Sequence, residues 1–219
     1  MIFFPTILIA FIGFIFLLPI LFLMGYFHII TLGFEKLGIS PQITSLLLLA
    51  ILIGSGINIP LGRKRIIYGE RIQLFGLWRT PTIETRATAI NLGGGIIPIL
   101  LSFYFLYKGW QAGFDLVPIF QATLIMIIIS KFLARIVPGR GIAVPALAPP
   151  IFAVLLALVF SPNFMAPASF IIGSLGILIG ADLLNLRKAQ RLSPGFLSIG
   201  GGGVFDAIFL VGIISVLLS

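Results

Sequence analysis

The chain has 219 residues, is 59% hydrophobic and only 9% charged, far below the roughly one-quarter charged content of an ordinary soluble domain. It contains no cysteine, which excludes disulfides, thiolate metal sites and cysteine nucleophiles. Its single histidine, His28, cannot build a metal cluster or a conventional triad alone. The net charge of +8 raises the question of nucleic acid, but basic loops on so apolar a chain report membrane orientation, so no nucleic-acid partner is expected.

Apolar runs recur along the whole length, which predicts a polytopic membrane protein forming one integral domain over 1–219. Seven hydrophobic segments follow in order, about 2–30, 43–61, 88–107, 116–136, 142–160, 168–186 and 198–218. The expected fold class is therefore all-α, with seven transmembrane helices, some discontinuous at glycine- and proline-rich stretches. The first segment lacks a basic start and a small-residue cleavage site, so it reads as a retained helix. The only sizeable extramembrane piece is 62–87. Its alternation in "RIIYGERIQLFGLW" predicts either a short hairpin on the membrane surface or an interfacial patch for anionic headgroups. The fifth segment contains "VPALAPP" and must be irregular at its start, because proline disrupts the helical ladder.

Charge sets the orientation. Arg63, Lys64, Arg65, Arg71, Arg79, Arg86, Lys131, Arg135, Arg140, Arg187, Lys188 and Arg191 fall on one side of such a bundle, and only Lys36 and Lys108 on the other. The basic side faces the cytoplasm, so seven spans put the N-terminus inside and the C-terminus outside. An internal repeat is also expected. "ILIGSGINIPLGRK" (51–64) resembles "ILIGADLLNLRK" (177–188), and each precedes a span opening on glycines, "NLGGGIIPILL" (91–101) and "SIGGGGVFDAIFL" (198–210). Helix pairs 43–107 and 168–219 would then repeat in parallel, as in some transporters; the alternative is chance similarity among apolar stretches.

Two acids lie within spans, Asp182 and Asp206. A carboxylate at membrane depth costs several kcal/mol unless protonated, paired or hydrated, which makes both functional candidates. At helical rise Asp182 sits roughly 8 Å from its cytoplasmic end and Asp206 roughly 12 Å from the same end. Facing one another, they would share a proton and activate water as an aspartic protease does. The run Gly200, Gly201, Gly202 and Gly203 is a poor helix, so an unwound segment with exposed N–H groups and close backbone approach is expected there. The alternative is that the glycines only permit tight packing and each aspartate is held by a nearby Arg or Asn. Asn58, Asn91, Asn185 and Gln121 read as interhelical hydrogen-bonding residues; Asn91, Asn185 and Pro145 also join the glycines as candidate substrate or backbone-approach positions.

At "VPGRGIAVPALAPP" (137–150), "LIGADLLNLRKA" (178–189) and "SIGGGGVFDAIFLVGI" (198–213), with "NLGGGIIPILLS" (91–102), the chain resembles a prokaryotic family of multi-pass membrane proteins, domain of unknown function 1614. That resemblance implies a prokaryotic, inner-membrane, multi-pass protein and no particular activity. "GADLLNLRKAQ" and "GVFDAIFL" are also similar to the two catalytic stretches of the GxGD-type intramembrane aspartyl proteases, the presenilin and signal-peptide-peptidase group. This second resemblance implies Asp182 and Asp206 as the catalytic pair. Phe205 stands where that group has its second glycine, Ala181 replaces its tyrosine, and "PAL" (145–147) precedes the aspartates instead of following them.

The function expected is therefore di-aspartyl, protease-like peptide hydrolysis near the cytoplasmic side, with membrane lipids and a transmembrane peptide as partners. A small proton-coupled transporter or channel acting on a small solute is the rival, and a non-catalytic scaffold the third reading. No cofactor and no metal is expected. A topology reporter fused after Ser219 should be active only outside the cytoplasm, and one inserted in 62–87 only inside. A cytoplasmic signal from the C-terminal fusion would overturn the seven-span order.

Overall fold

The computed structural model describes residues 31–62, 65–73, 78–137, 141–145, 147–192 and 196–201, together with isolated positions 17, 24, 25, 28, 29, 214, 217 and 218; for 65–86, Leu192 and Phe196 it describes the backbone. The predicted span 2–30 lies almost wholly outside these residues, and the predicted span 198–218 lies outside them for most of its length.

Among the described residues the structure is mostly helical, and six α-helices have both ends described. They are α1 (Pro41–Ser55), α2 (Ile97–Gln111), α3 (Val117–Leu133), α4 (Ala148–Phe160), α5 (Met165–Ile177) and α6 (Leu186–Leu192). Proline opens α1, α2, α3 and α4 in the first turn, where its missing N–H has no partner to lose and its φ is already helical. α5 is the centre of the bundle, and α2, α3 and α4 all pack on it. Small residues make this possible: Ala168, Ser169, Gly173, Ser174 and Gly176 are all buried. Phe170 of α5 meets Phe105 of α2 edge-on, with centroids 5.4 Å apart. Gly176 lies against Met126 of α3, and Gly180, just beyond α5, lies against the Ile127 carbonyl. These contacts advance together along both chains, so α3 and α5 run parallel.

The outward faces are apolar as well. Leu100, Phe103, Tyr107 and Trp110 form an exposed stripe on α2, and Phe120, Leu124 and Ile128 form one on α3. Two helical stretches, Leu92–Gln111 and Pro162–Arg191, are long and apolar enough to cross a membrane, with 20 and 30 residues. Helices apolar on both the packed and the outer face suit lipid, not water.

Strands complete the molecule, so the all-α expectation is corrected. β1 (Asn58–Pro60), β2 (Arg65–Gln73), β3 (Trp78–Asn91) and β6 (Phe196–Ile199) form one sheet, and β4 (Arg135–Val137) with β5 (Gly141–Ala143) a second. The hairpin expected within 62–87 is present: β2 and β3 pair antiparallel from Arg65↔Arg86 to Gln73↔Trp78. β3 then continues to Asn91, so residues 88–91 begin no helix. The run "TIETRATAI" is rich in threonine and isoleucine, which favour the pleated surface. Likewise 58–60 and 196–199 are strands that satisfy their backbone groups on β3, which shortens the helical part of the second predicted span and delays any seventh. The irregular start expected at "VPALAPP" is the chain leaving β5 for α4.

Gly180→Ala should lower the unfolding midpoint in detergent, costing about 1–3 kcal/mol, because a methyl there meets the Ile127 backbone. Gly62→Ala meets nothing within 4 Å and should leave the midpoint unchanged. Equal effects would contradict the α3–α5 contact.

Candidate functional site

Two glycine runs leave the sheet side by side. β3 and β6 pair in parallel with Ile90 opposite Ile199, so the chain enters Gly93–Gly95 and Gly200–Gly201 from adjacent strands. On the other flank of β3, β1 pairs antiparallel, with Asn58 opposite Asn91.

The first run forms a π-helical turn, Leu92–Ile96, at the head of α2. Asn91 caps it. Its Oδ1 accepts from the Gly94 N–H at 2.8 Å, and its Nδ2 donates to the Ser55 carbonyl at 2.7 Å and to Asn58 Oδ1 at 3.2 Å. The Ser198 hydroxyl of β6 donates to the same Asn58 oxygen. One buried amide thus ties the end of α1, strand β1 and the head of α2, and Asn58 extends the tie to β6. A close backbone contact of Gly93 with Ile51 and Ser55 of α1 accompanies it.

The second interruption carries the carboxylate. Leu178–Leu183 is again a π-helical turn, and Asp182 sits within it, half-buried. Such turns widen a helix by one residue per turn and recur at functional sites. Asn185 closes it, donating to the carbonyls of Gly180 at 3.2 Å and Ala181 at 3.0 Å. Gly200 joins the two halves. Its N–H donates to Asp182 Oδ2 at 2.8 Å, and its φ is +67°, which suits glycine. A Cβ at Gly200 would stand 2.7 Å from the Gly95 nitrogen and 2.8 Å from the Gly94 carbonyl group, so only glycine fits between the two backbones.

The predicted site residues are therefore placed unequally. Asp182, Asn91 and Gly200 meet at this junction. Gly201 follows it and is exposed. Asn185 bonds within its own turn, not between helices. Pro145 is exposed on the connection from β5 to α4 and makes none of the junction's hydrogen bonds. Asp206, Gly202 and Gly203 lie outside the described residues. Ser198 was not singled out from the sequence; its only signal there is a hydroxyl in the strand that leads into the glycines.

Among the described residues Asp182 Oδ1 takes no hydrogen bond, and no group of three acidic, histidine or cysteine side chains could hold a metal. The carboxylate has one oxygen oriented by a backbone N–H and one that no described residue engages. It can accept a proton, position a water or receive a cation.

An apolar helical bundle with membrane-length helices, carrying an aspartate where two interrupted helices meet, defines the class of protein. The chain belongs to the family described as "Protein of unknown function (DUF1614)", whose model matches residues 52–218 and so takes in Asn58, Asn91, Asp182, Ser198 and Gly200. No curated protein and no solved structure matches it.

Gly113 shares the left-handed conformation of Gly200, at φ +78°, but has open space around it. Gly113→Ala should cost only the conformational strain, about 1–2 kcal/mol. Gly200→Ala should exceed that by about 1–3 kcal/mol, because it also drives the two glycine runs apart. Chemical or thermal unfolding in detergent measures both, and equal losses would remove the close approach.

Proposed function

We propose that this protein is an intramembrane hydrolase of di-aspartyl type, in which Asp182 and Asp206 act together on a transmembrane peptide. The observation that carries this reading is the hydrogen bond from Gly200 N–H to the Asp182 carboxylate. It holds Gly200, the residue from which the chain leads on to Asp206, against Asp182. Asp206 is six positions beyond Gly200, a reach of at most about 20 Å even for an extended chain. One carboxylate would take a proton from water as its oxygen bonds to the peptide carbonyl carbon. The other, protonated, would deliver its proton to the leaving nitrogen as the C–N bond breaks.

The same reading places the chain across a prokaryotic inner membrane seven times, as one domain, with its N-terminus cytoplasmic. Two observations support this. The stretch after Gly200 starts beside the C-terminal end of α1, through the Gly94–Gly95 contact. The Leu217 carbonyl accepts from Lys36 Nζ at 3.2 Å, ahead of the N-terminal end of α1, so Gly200 and Leu217 lie toward opposite ends of α1. Lys131, Arg135, Arg187, Lys188 and Arg191 also gather at the sheet end of the bundle, away from Lys36 and Lys108. The parallel β3–β6 pair, each strand feeding a glycine run, supports the internal repeat of 43–107 and 168–219.

A second reading is a small proton-coupled transporter. It is favoured by the two π-turns and the left-handed glycine at one point, the discontinuous helices at which carriers bind solutes and ions. A scaffold without chemistry leaves the junction unused.

Purified protein in liposomes, assayed in parallel for cleavage of a transmembrane peptide and for proton-linked solute uptake, separates these. Asp182→Asn keeps an oxygen for the Gly200 N–H and should stay folded. It and Asp206→Asn should each abolish cleavage, with the double variant no worse than either single one, because the pair acts as a unit. Cleavage that survives in Asp206→Asn would eliminate the di-aspartyl mechanism, and proton-linked uptake without cleavage would establish the carrier.

A further inference from the structure

Two residues beyond the Asp182 turn, the sequence "LRKAQRL" forms α6, and its faces divide by chemistry. Ala189 is fully buried, and Gln190 turns inward to donate to the Thr88 hydroxyl of β3 at 2.6 Å. Arg187, Lys188 and Arg191 are exposed on the opposite face. α6 packs on β4, whose Arg135 is exposed, and Lys131 is exposed on the last turn of α3 immediately before β4. None of these five cations has an ion-pair partner among the described residues.

Apolar side chains interleave with them. Phe132, next to Lys131, is 80% exposed, and Leu183 and Leu184, just ahead of α6, are 44% and 51% exposed. Unpaired cations alone would suit bulk solvent, and exposed Phe and Leu alone would suit lipid tails. The two together match the boundary between anionic headgroups and acyl chains, where basic side chains reach phosphate while apolar neighbours stay in hydrocarbon.

We infer that α6, β4 and the last turn of α3 form a binding site for the phosphate of an anionic membrane lipid, with Phe132, Leu183 and Leu184 against its chains. The site is independent of any chemistry at Asp182, but rests on the membrane-spanning reading. It also adjoins the junction through the chain. Asn185 closes the turn that carries Asp182 and leads directly into α6, so a bound headgroup steadies the end of that turn.

The test is native mass spectrometry of the purified full chain in detergent, titrated with dioleoyl phosphatidylglycerol and, separately, dioleoyl phosphatidylcholine. The unmodified protein should retain phosphatidylglycerol preferentially, and rising salt should weaken that preference. Arg187→Gln/Lys188→Gln/Arg191→Gln should lose about fivefold in apparent affinity for each cation removed. Lys131→Gln/Arg135→Gln, on a different element, should lose proportionately less in the same direction. Lys36→Gln/Lys108→Gln, at the opposite end, should bind as the unmodified protein does. Equal retention of the two lipids, or unchanged retention in both basic-site variants, would overturn the site while leaving the membrane reading intact. Displacement by millimolar inorganic phosphate would identify a free-phosphate site instead of a lipid one. A chain that retains no phospholipid at all would overturn both.

Discussion

The contact between the Gly200 backbone and Gly94–Gly95 is the constraint on which the rest of the junction depends. Two chain segments approach so closely that Gly200 has no room for a methyl group against the Gly94–Gly95 backbone. That proximity aims the Gly200 N–H at Asp182 and fixes where the following segment leaves the sheet. A side chain at Gly200 would separate the two segments and leave the N–H without its acceptor, in an apolar setting where an unpaired donor is costly.

The surrounding packing follows the same logic. In the membrane setting proposed above there is little hydrophobic driving force between apolar helices, so association relies on close packing of small residues and on hydrogen bonds. α5 supplies the small residues and is enclosed by α2, α3 and α4. The hydrogen bonds concentrate where the small sheet meets the helices. Asn91 alone engages α1, β1 and the head of α2, and Ser198 joins β6 through Asn58. The sheet therefore acts as a clamp on two helix interruptions, holding them where a continuous helix could not place a carboxylate and a free N–H together.

Those interruptions connect structure to function. A π-turn leaves its helix with irregular backbone spacing, tolerable in an apolar environment only where neighbours satisfy the displaced groups. Here Asn185 satisfies one turn and Asn91 the other. Asp182 is thereby presented half-buried, with one oxygen oriented by the Gly200 N–H. Both hydrolysis and proton-coupled transport require such a group. A lipid headgroup held by α6 would act on the same turn from its far end.

Much of this was legible in the sequence. Apolar runs located α1 to α5, prolines marked the break at "VPALAPP", and alternation indicated the hairpin in 62–87. Asp182 stood out because an acid in an apolar helix is expensive, and the glycine runs indicated close approach. These are local signals, carried by residues a few positions apart. The sheet beyond the hairpin was not legible, because β1 and β6 are three and four residues long and show no periodicity of their own. Their strand character exists only because β3 offers paired hydrogen bonds, across 109 positions in the case of Ile90 and Ile199. The sequence by itself determined an apolar, helix-rich chain with an acid and glycines in costly places. Only the tertiary structure decided that Asp182 meets Gly200, because a backbone N–H is present at every non-proline residue and its partner is chosen by long-range packing.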